Sequence, residues 1–225
     1  VVAALKSALK ARPRLRADAQ RNRERIVDAA REMFVEYGAE VPLDEVARRA
    51  GVGNATLYRH FPDRRELIHH VTLHVMARIA EQAERALAEE PDAFEALRRW
   101  VHAAADERVG ALCPLLSESV DRNHPDHLEA RDRLNRDIEA LMERAREAGQ
   151  LRADIDVGDL MVAITQLTRP LPGWGSPRAE SGGGCVDFDR FVHRHLQLFL
   201  DGLRAPARSE LPGSAATLED LRQQN

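Results

Sequence analysis

The chain has 225 residues, 44% of them hydrophobic, enough for one large or two small globular domains with cores of their own. No apolar run approaches the ~20 residues that span a bilayer, and Val1 to Leu9 is too short and too interrupted for a secretory signal, so the sequence excludes a membrane protein and predicts a cytoplasmic one. A net charge of -4 does not in itself suggest a nucleic-acid binder, and two cysteines, Cys113 and Cys185, lack the number and spacing of a disulfide framework or zinc knuckle and read as free thiols.

The charge is unevenly spread. Lys6, Lys10, Arg12, Arg14, Arg16, Arg21, Arg23 and Arg25 meet only Asp18 and Glu24 before residue 26. A basic arm on an acidic body lets a protein approach DNA by one end, with Arg16 and Arg21 as candidate contacts. The same composition also reads as a solvated tail or an expression remnant. Either way, residues 1–19 are expected to be a flexible arm.

Glu24 to Tyr37 places Ile26, Ala29, Ala30, Met33, Phe34 and Tyr37 at helical spacing, and Gly38 ends that helix. The next stretch, VARRAGVGNATLYRHF from Val46 to Phe61, turns about Gly51-Val52-Gly53, too rich in glycine to continue a helix and suited to a sharp bend between two. Before the turn Val46, Ala47 and Ala50 form an apolar stripe; after it Leu57 and Phe61 are an i, i+4 pair that packs on that stripe with Val52. Asn54, Ala55, Thr56, Tyr58, Arg59 and His60 are left pointing away from the core. None is acidic, so this face does not repel phosphates, and its hydrogen-bonding side chains suit base edges in a major groove. A surface turn in an enzyme or scaffold has the same local pattern. The flanks favour DNA: Pro62 stops the second helix, Asp63 N-caps the next, and Arg64 and Arg65 stand beside the free amides of its first turn.

The ordered run RERIVDAAREMFVEYG, then LDEVARRAGVGNATLYRHFPDRREL, over roughly residues 20 to 67, resembles the tetracycline-repressor (TetR) family of bacterial transcription regulators. The resemblance implies an all-α protein of about nine helices. It would have an N-terminal three-helix helix-turn-helix DNA-binding domain (20–66) and a C-terminal helical domain (67–204) for ligand binding and dimerisation. It also implies phosphate contacts by Tyr58 and Arg64, the latter standing where the family usually has lysine, with Thr56, Arg59 and His60 in or at the edge of the groove. Two positions depart from the family pattern. Val41-Pro42 occupies the stretch where a Ser or Thr commonly bonds a phosphate, and Asn54-Ala55 replaces a more usual basic residue followed by glycine. Asn54 either caps the second helix or reads adenine; its place directly after Gly53 favours the cap.

From Asp63 to about Glu90 no glycine or proline interrupts the apolar spacing, which predicts one long helix leading into the next domain. Further helices are expected at about Asp92 to Arg108, near Leu112 to Val120 with Pro114 in the first turn, and from His124 to about Ala148, ended by Gly149. On the last of these, the charges of alternating sign between Arg131 and Arg144 read as a solvent-exposed face. About Val157 to Thr168 and about Asp187 to Leu203 supply two more helices. Between them, LPGWGSPRAESGGG is expected to be a long mobile loop, in which Trp174 fills a pocket, joins a subunit contact or covers an exposed edge. Residues 205–225 are expected to form a flexible tail, apart from a short turn at Leu218 to Leu221.

One recognition helix reads few base pairs, so specificity calls for two copies on a palindromic double-stranded operator, hence a homodimer. Leu160, Ile164, Phe188, Phe191 and Phe199 are the candidate interface, because the final helix has apolar surface to spare and the resemblance implies a four-helix contact there; core is the competing reading. Met76, Ile79, Trp100, Cys113, Leu116, Met142 and Met161 are candidates to line an effector pocket, and each also reads as ordinary core. The expected mechanism is a repressor released from its operator when a small-molecule effector favours one arrangement of the body and swings the long helix. An enzyme is not expected, since no Gly-rich phosphate loop follows a strand and no nucleophile motif is present. The close histidine pairs, His70/His74, His124/His127 and His193/His195, lack further ligands at metal-binding spacing, so neither metal nor cofactor is expected.

Overall fold

The computed structural model describes residues 2–112, 120–169 and 188–223, and the side chains of 17–112, 120–169 and 191–221. The chain divides into two compact units, Val1–Thr72 and Leu73–Asn225. The described elements are helical, apart from an isolated antiparallel bridge between Leu151 and Arg204. Among the described residues no helix is long and apolar enough to cross a membrane.

The first unit holds α1 (Val2–Tyr37), α2 (Leu43–Arg49), α3 (Asn54–His60) and the start of α4 (Arg64–Glu89). Its core is the stripe that the apolar spacing predicts: Ile26, Ala30, Phe34, Val46, Ala47, Leu57, Phe61, Leu67 and Val71 are all fully buried. Gly38 ends α1 with φ +89, a conformation that glycine adopts without the steric penalty other residues incur. The basic stretch departs from expectation. α1 begins at Val2, so residues expected to form a flexible arm are helical; the Ala, Leu, Lys and Arg that dominate residues 3–12 are strong helix formers.

The boundary between the units falls inside α4, between Thr72 and Leu73, with no break in the helix. The second unit continues with α5 (Ala93–Asp106), α6 (Pro125–Glu147), α7 (Val157–Leu167), α8 (Phe188–Leu203) and α9 (Leu218–Gln223). α5 is central and packs against α6, α7 and α8, burying Phe94, Leu97, Trp100 and Val101. Asp92 caps it, accepting from the Glu95 amide at 2.9 Å. α6 starts with His124 at its N-cap and Pro125 in the first turn, and ends at Gly149 in a left-handed turn of φ +66. Its charged face is not wholly turned to solvent: Arg133 reaches Glu84 of α4 at 2.6 Å, and Arg144 donates to the carbonyls of Leu87, Glu90 and Pro91, satisfying the end of α4. Residues 109–112 are helical, whereas the rest of the helix expected near Leu112 to Val120 lies outside the described residues, as does the loop with Trp174 and Cys185.

The C-terminal segment corrects a second expectation. Far from trailing loose, residues 205–217 are tied to the second unit and α9 follows them. Buried Arg152 donates to Ser209 O at 2.8 Å, and Asp159 accepts from the Ala216 amide at 3.1 Å. Gly158 makes the approach feasible, because a Cβ there would stand 2.2 Å from Ala216 O. Polar composition weakens self-association of such a segment, but it does not prevent partners elsewhere in the chain from holding its backbone.

Candidate DNA-binding head

The turn between α2 and α3 follows from two hydrogen bonds and one glycine. The Val52 amide donates to Ala47 O at 3.0 Å and the Gly51 amide to Arg48 O at 3.1 Å, while Gly51 takes φ +63; together these form a Schellman ending that reverses the chain sharply. Gly53 then occupies the N-cap of α3 with extended backbone, and its carbonyl accepts from Thr56 N at 2.8 Å. Asn54 is therefore the first helical residue and not the cap, and no side chain caps α3. Placing Asn54 in the cap puts the helix start one residue late, and its side chain is exposed beside Ala55.

Leu57 is the one buried residue of α3, and Phe61 closes the same pocket just beyond the helix. With these two pointing inward, Asn54, Ala55, Tyr58 and Arg59 are exposed and Thr56 and His60 are half-buried. The six residues predicted for the outer face thus lie on one short helix, four of them exposed. Tyr58 is 47% exposed, so its ring and hydroxyl are open to a partner. Arg64 begins α4 and donates through Nη1 to the Ala39 carbonyl in the α1–α2 connection. Arg21 is exposed on α1 and paired with Asp18, whereas the Arg16 side chain lies outside the described residues.

Two residues that the sequence marked only as part of a basic run also support the head. Arg25 reaches from α1 to donate to Gly51 O at 3.2 Å, placing a positive group at the turn. The Arg23 guanidinium lies over the Phe61 ring, 5.3 Å from its centroid, and 2.7 Å from Nε2 of His70, which also faces Glu66 at 3.0 Å. Burial, reinforced by Arg23, holds the His70 pKa below its ordinary value; burial, Arg23 and Arg59 do the same for His60. Both imidazoles are thereby biased toward the neutral form beside a cluster of arginines.

In the second unit, Ile79, Trp100 and Met142 are buried, with Trp100 Nε1 donating to Ile79 O at 3.2 Å, and Met76 and Met161 are half-buried. Cys113 and Leu116 lie outside the described residues. On the last two long helices, Leu160 and Ile164 are packed inside the chain itself, whereas Phe191 is 46% exposed and Phe199 half-buried; the Phe188 side chain is outside the described set. Val162 and Leu198 are exposed instead, on outer edges that the apolar stripe did not single out.

A tight glycine turn carrying a short helix with an exposed, non-acidic outer face is a helix-turn-helix head of the DNA-reading class. Residues 26–71 match the family described as bacterial regulatory proteins, tetR family, and residues 92–205 match the C-terminal domain described as transcriptional regulator SbtR-like. The chain belongs to the TetR family of bacterial transcriptional regulators. It is similar to the TetR transcriptional regulator SCO0520 of Streptomyces coelicolor, with 33% identity, 82% of this chain and 99% of that chain covered, and a TM-score of 0.61. A TetR regulatory protein of Mycobacterium vanbaalenii is 30% identical, with 85% and 99% covered and a TM-score of 0.56. An HTH-type transcriptional regulator of Staphylococcus aureus (strain USA300) is 41% identical over 58 residues, 25% of this chain; the match spans 31% of that relative's length.

Proposed function

We propose that the protein is a cytoplasmic, homodimeric repressor that binds a palindromic double-stranded operator and leaves it when a small-molecule effector binds the second unit. The observation that carries this reading is the outer face of α3, six non-acidic residues of which Asn54, Ala55, Tyr58 and Arg59 are exposed while Leu57 and Phe61 anchor the helix from beneath. In the proposed complex Tyr58 and Arg64 contact phosphates, Thr56, Arg59 and His60 face the groove, and Asn54, released from capping, is available to a base edge or a phosphate. Arg16 and Arg21 on α1 are proposed as accessory contacts. Dimerisation is proposed through α7 and α8, where Val162, Phe191 and Leu198 leave apolar surface in water that a second copy would cover.

The effector is proposed by analogy. A TetR-like regulator of Mycobacterium smegmatis, LfrR, was crystallised with proflavine, and it shares the fold at 21% identity. Coupling is proposed to run through α4, whose helix crosses the unit boundary unbroken, so a ligand favouring one arrangement of the second unit alters the first. The test is selection of bound duplexes from a genomic fragment pool. An enriched inverted repeat, with affinity falling steeply as salt rises, supports the reading; no enrichment at low salt removes it.

A further inference from the structure

Two histidines 91 residues apart meet between α5 and α8: Nδ1 of His102 lies 2.8 Å from Nδ1 of His193, with ring centroids 5.0 Å apart. The other nitrogen of each ring is already engaged. His193 Nε2 is 3.0 Å from Asp106 Oδ1, and a carboxylate only accepts, so that nitrogen carries a hydrogen. His102 Nε2 faces Gln197 Oε1 at 3.4 Å. The orientation of that amide is set by its own nitrogen, which donates to Asp201 Oδ1 at 2.8 Å. Placing one hydrogen on Nε2 of each ring leaves both Nδ1 atoms presenting lone pairs to each other. Such a pair repels unless a cation sits between. Donation of the distal N–H to a carboxylate or amide oxygen is also how metal-ligating histidines are ordinarily oriented.

We propose that His102 and His193 bind a divalent transition-metal ion of the zinc class through their Nδ1 atoms, with Asp106 and Gln197 as positioning residues. Tetrahedral Zn–N bonds set two ligand nitrogens about 3.3 Å apart and the ring centroids about 5.2 Å apart. The centroids already stand close to that separation, and each ring needs only to pivot. A cavity of about 60 Å³, lined in part by Asp106, Arg108, Thr168 and His193, lies beside His193. Water would fill the two remaining positions of four-coordination. Imidazole with water suits zinc, copper or nickel better than magnesium or calcium. A bound ion would clamp α8 to α5, and the site stands independently of the DNA-binding reading.

The experiment is calorimetric titration of the full chain with Zn²⁺ after stripping with EDTA, alongside the folded variants His102→Gln, His193→Gln and Asp106→Asn. Binding of one ion per chain is expected, weakened at least tenfold in each glutamine variant and about tenfold in Asp106→Asn. Circular dichroism of the metal-free variants checks that they fold. On the unaltered chain, nitrogen NMR is expected to show Zn²⁺ moving Nδ1 of two histidines while their Nε2–H signals persist. One-per-chain binding that survives both glutamine changes, shifts confined to other ring nitrogens, or no saturable binding overturns the proposal, the last leaving a shared proton in the gap.

Discussion

Leu57→Ala separates the support of the reading helix from its reading surface. α3 has seven residues, no side-chain cap and one buried residue, so it is far below the ~12–15 residues at which an isolated helix becomes even marginal. Its place depends on Leu57, which is fully buried. Truncating such a leucine removes about 3–5 kcal/mol, the transfer energy of the side chain plus the cavity left behind. A unit spanning Val1–Thr72 has a total stability of about 4–11 kcal/mol at typical per-residue values. The substitution therefore consumes a large share of it, and the head's melting temperature falls by well over about 10 °C at roughly 4–8 °C per kcal/mol. Tyr58→Phe is the matched control: its hydroxyl is on an exposed side chain, so stability should change by less than about 0.5 kcal/mol. If Tyr58 makes the proposed phosphate hydrogen bond, its loss should still weaken binding to all duplexes by about tenfold. Hydrogen exchange of the amides from 46 to 61, together with DNA-binding isotherms, reads both effects. Leu57→Ala should lose protection and binding, and Tyr58→Phe should keep protection. Normal melting and protection in Leu57→Ala, or loss of both in Tyr58→Phe, would refute the division between anchor and surface.

Arg59→Ala should change base preference at particular operator positions in a selection experiment; an unchanged motif would remove that side chain from the groove. Leu198→Glu should shift the chain toward monomer in light scattering, because it places a charge on the 60% exposed residue that the proposed interface would bury. Gly158→Ala tests the held C-terminal segment, and two effects oppose each other there. Alanine ordinarily stabilises a helix by about 1 kcal/mol over glycine, but its Cβ would sit 2.2 Å from the Ala216 carbonyl oxygen. The clash should win, lowering the melting temperature and exposing residues 205–217 to protease, and a raised melting temperature would contradict it. For pH, His70 is neutral-biased in the folded head, chiefly by burial and then by Arg23. The unfolded chain therefore binds more protons, so the stability His70 contributes is present above its ordinary pKa of 6.5 and is lost as pH falls through its lower folded value. Urea unfolding between pH 7.5 and 5 should show this loss, and His70→Gln should flatten it.

The parts of the head legible in the sequence are those fixed by local spacing. Leu57 and Phe61 are four residues apart on one helical stripe, and Gly51 marks the left-handed position that the turn requires. The Asn54 cap missed by one residue because Gly53 and Asn54 both suit the N-cap, and only backbone geometry chooses between them. Arg23 and Arg25 carried no local sign of their roles, since their partners lie 47 and 26 residues away. The held tail was hidden for the same reason: the features that fix it, Arg152 and Gly158, belong to another part of the chain.

The last two long helices show the remaining limit most directly. An apolar stripe on a helix has two edges, and spacing alone does not say which edge the chain's own core consumes. Leu160 and Ile164 went inward with Val192, Leu196 and Leu200, while Val162, Phe191 and Leu198 stayed outside. The residues most conspicuous as a stripe are thus those least available to a second copy. A dimer contact here has to be built from the outer edge, and for that reason a single charge at Leu198 should disturb association without emptying the core, whereas Leu160→Ala should destabilise the protomer itself.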